Sequence, residues 1–217
     1  MMGTEPNAVH AITGSAGSGK SYVAREIADL LGCSVYSADF RFIGDSAARR
    51  DLLSRKQARS LSDFRDSANQ FNWWDWNAID TDLADLAAGR AVTIQSAYDR
   101  ASGRAGSPLV IAASRQVLYE GALLGPPQIV PRLQRVFFLC TSPRIRFERI
   151  LAKDQGRRSF NEILARFLIT EYSETLHYRA LFAAAQDRML FIDSETGRPA
   201  GRPELPAELF IPLQVAS

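Results

Sequence analysis

The sequence predicts an α/β protein, a doubly wound parallel sheet with helices on both faces, and three observations carry that reading. Short apolar runs recur between helical stretches: AVHAIT at residues 8–13, CSVYSAD at 33–39, VLYEG at 117–121, RVFFLCTS at 135–142 and RMLFID at 188–193. Runs of this length alternating with helices suit parallel strands joined by right-handed crossovers. The first run breaks into the glycines Gly14, Gly17 and Gly19, then resumes as SYVAREIADLL with apolar residues at helical spacing. Polar residues collect at the carboxyl ends of the strands, where ligands of such sheets gather: Asp39, Glu120, Thr141 and Ser142.

The junction after the first run reads G-x-x-x-x-G-K-S: Gly14, Ser15, Ala16, Gly17, Ser18, Gly19, Lys20 and Ser21. Glycines let a backbone bend around an anion with consecutive N–H groups turned inward. The helix starting near Lys20 adds its positive end. Lys20 is then placed to neutralise the β- and γ-phosphates of a nucleotide, and the Ser21 hydroxyl to hold Mg²⁺. An ordinary glycine-rich turn before a helix is the competing account. A buried strand before the motif and a helix after it favour the phosphate loop. The motif speaks for nucleotide binding and leaves the reaction open.

Two stretches interrupt the rhythm of strands and helices. Residues 41–70, RFIGDSAARRDLLSRKQARSLSDFRDSANQ, are polar and expected to be helical. Residues 91–114, AVTIQSAYDRASGRAGSPLVIAAS, hold two β-rich runs around a glycine-containing turn and suit a projecting hairpin. A competing parse places LVIAAS (109–114) in the core sheet and VLYEG outside it. The chain of 217 residues, 46% hydrophobic, is long enough for one α/β core. A single domain over residues 1–217 is expected, with substrate-binding insertions at about 40–80 and 92–115 and a lid at about 144–160.

A net charge of +2, with basic and acidic residues interspersed, gives no argument for a nucleic-acid partner. Cys33 and Cys140 sit in apolar surroundings without metal-ligand spacing, as reduced core residues of a cytosolic protein would. The start MMGTEPNAVH lacks the features of a signal peptide, and no apolar run approaches membrane-spanning length. The expectation is a cytoplasmic protein with no membrane partner; whether it forms a homo-oligomer is left open.

The phosphate loop, SADFRF (37–42), YDRASGR (98–104), VLYEGALL (117–124) and the basic helix after FFLCTSPRIRFERI (137–150) occur in one order along the chain. In that order they resemble the uridine kinase and phosphoribulokinase family. The resemblance runs from about Val9 to Ile192. It implies a P-loop, nucleoside-kinase-like fold, ATP and Mg²⁺ as cofactors, and a small-molecule hydroxyl as acceptor. Members of that family carry an aspartate in a D-x-F-Y-like stretch after the second strand, a Tyr-Asp pair in a hairpin, and a Glu-Gly pair after an apolar strand. Asp39, the pair Tyr98 and Asp99, and Glu120 before Gly121 fall on those positions.

Phosphoryl transfer to a hydroxyl needs an acceptor for the departing proton and a carboxylate to help organise hydrated Mg²⁺. Asp39, at a strand end beside the loop, can do either; its competing role is a helix cap. Glu120 can bind Mg²⁺ through water, opposite the Ser21 hydroxyl. In the stretch RIRFERILAKDQGRRS, Arg146, Arg149, Lys153 and Arg157 are spaced three, four and four apart, which on one helix puts them on one face. In related kinases an arginine-bearing lid closes over ATP, so the resemblance implies Arg149 and Arg157 as phosphate contacts; a solvated charged face is the alternative.

FNWWDWNAID (71–80) gathers all three tryptophans around Asp75. Asp75 and Trp74 are expected at the acceptor site with Tyr98, Asp99 and Arg100, although packing explains the tryptophans about as well. The stretch lacks the His-Pro pair found in members with N-F-D-H-P-D-A here. No histidine follows Tyr98 and Asp99, so the feature that contacts a pyrimidine in uridine kinases is missing. The resulting expectation is an ATP-dependent kinase for a nucleoside- or sugar-like hydroxyl. Its alternatives are a kinase for another alcohol, such as an amino acid, a vitamin or an antibiotic-pathway metabolite, and a nucleotide-switched binding protein.

Overall fold

A computed structural model of the chain describes residues 6–43, 70–99 and 102–205. In chain order the elements are β1 (Ala8–Thr13), α1 (Lys20–Leu31), β2 (Ser34–Ser37), α2 (Trp76–Ala87), β3 (Val92–Ile94), β4 (Tyr98–Asp99), β5 (Arg104–Ala105), β6 (Leu109–Ile111), β7 (Gln116–Glu120), β8 (Arg135–Cys140), α3 (Pro143–Asp154), α4 (Phe160–Ala184) and β9 (Met189–Asp193). Five strands form a parallel sheet in the order β2-β7-β1-β8-β9. The expected doubly wound sheet is the one observed.

Strand alternation sends successive side chains to opposite faces. On one face Ile12, Leu118 and Leu139 pack with Ala24 of α1. On the other, Val9, Ala11, Val117, Tyr119, Val136 and Phe138 meet Ile79, Leu83 and Leu86 of α2 and Tyr178, Leu181 and Phe182 of α4. β7 lies between β2 and β1, and Val117 to Glu120 are buried, so VLYEG is a core strand. LVIAAS instead supplies β6, antiparallel to β3, with Val110 turned to solvent. β7 is flanked on both sides, and Val117 and Tyr119 on one face and Leu118 on the other are covered, as a central strand of a parallel sheet requires.

The basic stretch is not one continuous helix. α3 ends at Asp154, Gly156 takes φ +85°, and α4 begins behind a Ser159 cap with Glu162 closing a capping box. Arg157 therefore lies beyond the helix that carries Arg146, Arg149 and Lys153. Arg146 turns inward and is clamped by Glu171 of α4, donating through both terminal nitrogens. Burial works against its charge, but Glu171 more than offsets this and raises its pKa. Among the described residues, no helix is long and apolar enough to cross a membrane.

Candidate active site

The chain leaves β1 at Gly14 with φ +143°, where an added Cβ would stand 2.7 Å from the Leu139 carbonyl oxygen of β8. At Gly17, φ +82°, a Cβ would stand 2.7 Å from the Arg146 carbonyl oxygen of α3. The loop is thus pressed against two elements at points where only glycine fits. Gly19 starts α1 with no side-chain cap, so the helix N–H groups lack that partner. Lys20 is buried and its Nζ donates to the Ser15 carbonyl at 3.1 Å, across the loop. Arg149 reaches the loop from outside, its Nη1 donating to the carbonyls of Gly17 (3.3 Å) and Ser18 (3.4 Å).

Beside this loop the parallel register sets Ser37 of β2 and Ile12 of β1 against Glu120 of β7. Glu120 is 6% exposed. Its Oε1 accepts from Ser37 Oγ at 2.5 Å, and its Oε2 accepts from Ser21 Oγ at 3.2 Å. Asp39 follows in a 3₁₀ turn, Ala38–Arg41, whose cap is Ser37: the Asp39 N–H donates to Ser37 Oγ at 3.4 Å. The far end of this turn is tied down by Arg41, which grips Asp82 of α2 at 2.7 and 2.8 Å. Asp82 also accepts from the Tyr36 hydroxyl at 2.6 Å. Glu120 thus connects the head of α1, through Ser21, to Ser37, the cap of the turn that carries Asp39.

Ser21, Ser37, Asp39 and Glu120 line a cleft of about 380 Å³ together with Arg25 of α1, Val35, Phe40, Tyr98 and Asp99. Tyr98 is buried, its ring 5.0 Å from that of Phe42. Asp99 is exposed and accepts from the Ser102 N–H at 3.1 Å. Trp74 and Asp75 do not line this cleft. Trp74 meets Phe42 edge-on, ring centroids 5.3 Å apart, and stacks on Trp76. Asp75 is the N-cap of α2, accepting from the Ala78 N–H at 3.0 Å. Arg157 is exposed beyond α3, and Arg100 lies outside the described residues, as does most of the stretch expected to be helical after Asp39.

Family models and curated protein sequences give no match to the chain. Solved structures do. Phosphoribulokinase from Rhodobacter spheroides aligns with a TM-score of 0.60 at 12% identity, over 89% of this chain and 74% of that one. D-glycerate 3-kinase from Cryptococcus neoformans aligns with a TM-score of 0.54 at 12% identity, over 90% and 89%. A possible uridine kinase from Bacillus stearothermophilus gives 0.51 at 17% identity, over 86% and 85%. The chain shares their fold, a doubly wound parallel sheet of P-loop NTPase-like architecture. At identities of 12–17% the likeness is one of fold alone.

Within this P-loop fold, two residues near the loop escaped the sequence reading. Ser37 was legible in principle, since a serine two residues before an aspartate at a strand end is a local cap signal. Glu174 of α4 is 3% exposed, and both of its carboxylate oxygens accept from the Ala16 N–H, at 3.0 and 3.1 Å. Burial pushes its carboxyl up to about 7, with Lys20 opposing the shift and Glu171 adding to it. Its signal was its place on the apolar stripe of α4, eleven residues after Ile163 and seven before Leu181. Farther along, His177 Nε2 accepts from the Leu124 N–H at 3.0 Å, and burial lowers its pKa to about 4.

The donor set near the loop is all oxygen: the Ser21 hydroxyl, Glu120 and Asp39. Among the described residues no three His, Cys, Asp or Glu side chains group as a metal cage. Mg²⁺ commonly uses one or two carboxylates together with substrate phosphates, so this sparse oxygen set suits it.

Proposed function

We propose that the chain is an ATP-dependent kinase that phosphorylates a hydroxyl of a small nucleoside- or sugar-like molecule. Glu120 carries this reading: one buried carboxylate bonded to Ser21, at the head of α1, and to Ser37, the cap of the Asp39 turn. The loop N–H groups and Lys20 hold the β- and γ-phosphates. Ser21, Glu120 and Asp39, which line one cleft, would hold Mg²⁺, which when bound neutralises charge on the phosphates.

Asp39 accepts the proton of the acceptor hydroxyl as that oxygen attacks the terminal phosphorus and ADP departs. Arg149, already against the loop, and Arg157 stabilise charge on the transferred group. Tyr98 offers a ring face to the acceptor, and Asp99 accepts from its hydroxyls. Trp74 packs on Phe42 and Trp76, and Asp75 caps α2. No histidine follows Tyr98 and Asp99 to contact a pyrimidine, so uracil is not favoured in particular.

The test is incubation of the full chain with ATP, Mg²⁺ and a metabolite mixture, read by mass spectrometry. A hydroxylated metabolite should gain a phosphate with the wild-type chain and not with Lys20→Ala. Nucleotide hydrolysis that no small molecule accelerates, but a protein does, overturns the reading in favour of a switch.

A further inference from the structure

We infer that Glu174 is a positioning residue for nucleotide binding: by accepting the Ala16 N–H it holds the outer arm of the Gly14–Ser21 loop in its binding shape. This rests on the proposed kinase reading and adds a residue on α4, a helix that the loop motif does not include. Three contacts clamp the loop. α4 holds Ala16 through Glu174, the Arg146 carbonyl of α3 fills the space a side chain would need at Gly17, and Arg149 binds the Gly17 and Ser18 carbonyls. α3 is itself locked to α4 by the Arg146–Glu171 pair, one turn before Glu174. The two helices therefore act on the loop as one body.

A buried carboxylate is a costly way to fill a core position, and an apolar side chain of similar volume would pack there more favourably. The charged or titratable groups around Glu174 are Lys20 of α1, Arg146 of α3, and Glu171 and Tyr178 of α4. Its carboxyl is pushed up to about 7 by burial, which accords with a group kept for its hydrogen bond at a cost in stability. An N–H that meets both oxygens of one carboxylate has little freedom to turn away. The loop is then shaped before any phosphate arrives, and less of the binding free energy is spent ordering it.

The test compares wild type, Glu174→Met, which keeps the volume and removes the acceptor, and Glu174→Gln, which keeps an acceptor without charge. ADP and ATP dissociation constants are measured by calorimetry, with steady-state kinetics on the acceptor found by the metabolite screen. Glu174→Met should weaken nucleotide binding roughly 10- to 100-fold, the scale of a lost charge-assisted hydrogen bond. Its kcat at saturating ATP and its acceptor KM should stay within about threefold of wild type, and Glu174→Gln should recover most of the affinity. Nucleotide affinities unchanged in a folded Glu174→Met variant overturn the inference and leave the kinase reading standing. No nucleotide binding by wild type overturns both. Should Glu174→Met fail to fold, amide exchange at Ala16 in the wild-type chain decides: protection supports the anchor, and free exchange overturns it.

Discussion

Replacing Glu174 by glutamine should stabilise the protein, by an amount that grows with pH. The carboxyl titrates near 4.5 when unfolded and at about 7 when buried. Between these values the unfolded chain gives up the proton while the folded chain keeps it, so folding stability falls as pH rises. The loss is absent well below pH 4.5, builds from there to pH 7, and is complete above it. A shift of this size corresponds to about 3 kcal/mol at pH 8 and about 1 kcal/mol at pH 5. Glutamine has nearly the same volume, can still accept the Ala16 N–H, and does not titrate. Urea unfolding of both chains at the two pH values measures the difference. A gain of the same size at pH 5 and pH 8, or a loss at pH 8, would refute the reasoning. Either result would mean that Lys20 and Arg146 already hold the carboxylate ionised.

Lys20→Ala should lower phosphoryl transfer by roughly 10²–10³ in a variant that still folds, and near-normal turnover in the folded variant would remove Lys20 from the site. Asp39→Asn should cut kcat far more than it weakens ATP binding, because its work is on the acceptor hydroxyl; full turnover with a lower melting temperature would leave it a structural residue. Glu120→Gln should raise the Mg²⁺ concentration needed for half-maximal rate by about tenfold, read from a Mg²⁺ titration at saturating ATP. His177 is held neutral, with its pKa lowered from 6.5 to about 4, so its contribution is present above pH 6.5 and lost as pH falls through 4. His177→Gln should therefore lose less stability than wild type between pH 7 and pH 4, a difference of about 3 kcal/mol in urea unfolding.

Local patterns made much of the fold readable from residues alone. The sequence AVHAIT-GSAGSGKS-YVAREIADLL contains strand, turn and helix signals within two dozen residues, and β1, the loop and α1 follow it closely. The choice between VLYEG and LVIAAS was not readable, because both are short apolar runs; only the partners in space show which one is covered on both sides. The same limit hid the fate of Arg146. Its spacing put it on a basic face, while its partner Glu171 lies twenty-five residues away on another helix. Trp74 and Asp75 looked like ligands by type, and their contacts are those of a packing wall and a helix cap. Glu120 and Ser21 are ninety-nine residues apart and meet only because β7 lies beside β1.

That meeting also decides which way one hydrogen points. In the bond between them the Ser21 hydroxyl is the donor and Glu120 Oε2 the acceptor. A hydroxyl has a single hydrogen, and here it is committed inward. What Ser21 offers to anything arriving at the head of α1 is therefore lone pairs alone, with no rotor left to adjust. Threonine at this position would preserve that polarity, whereas cysteine, a weak donor and a soft acceptor, would not. Glu120 thus acts at a distance as a latch on the sign of a dipole.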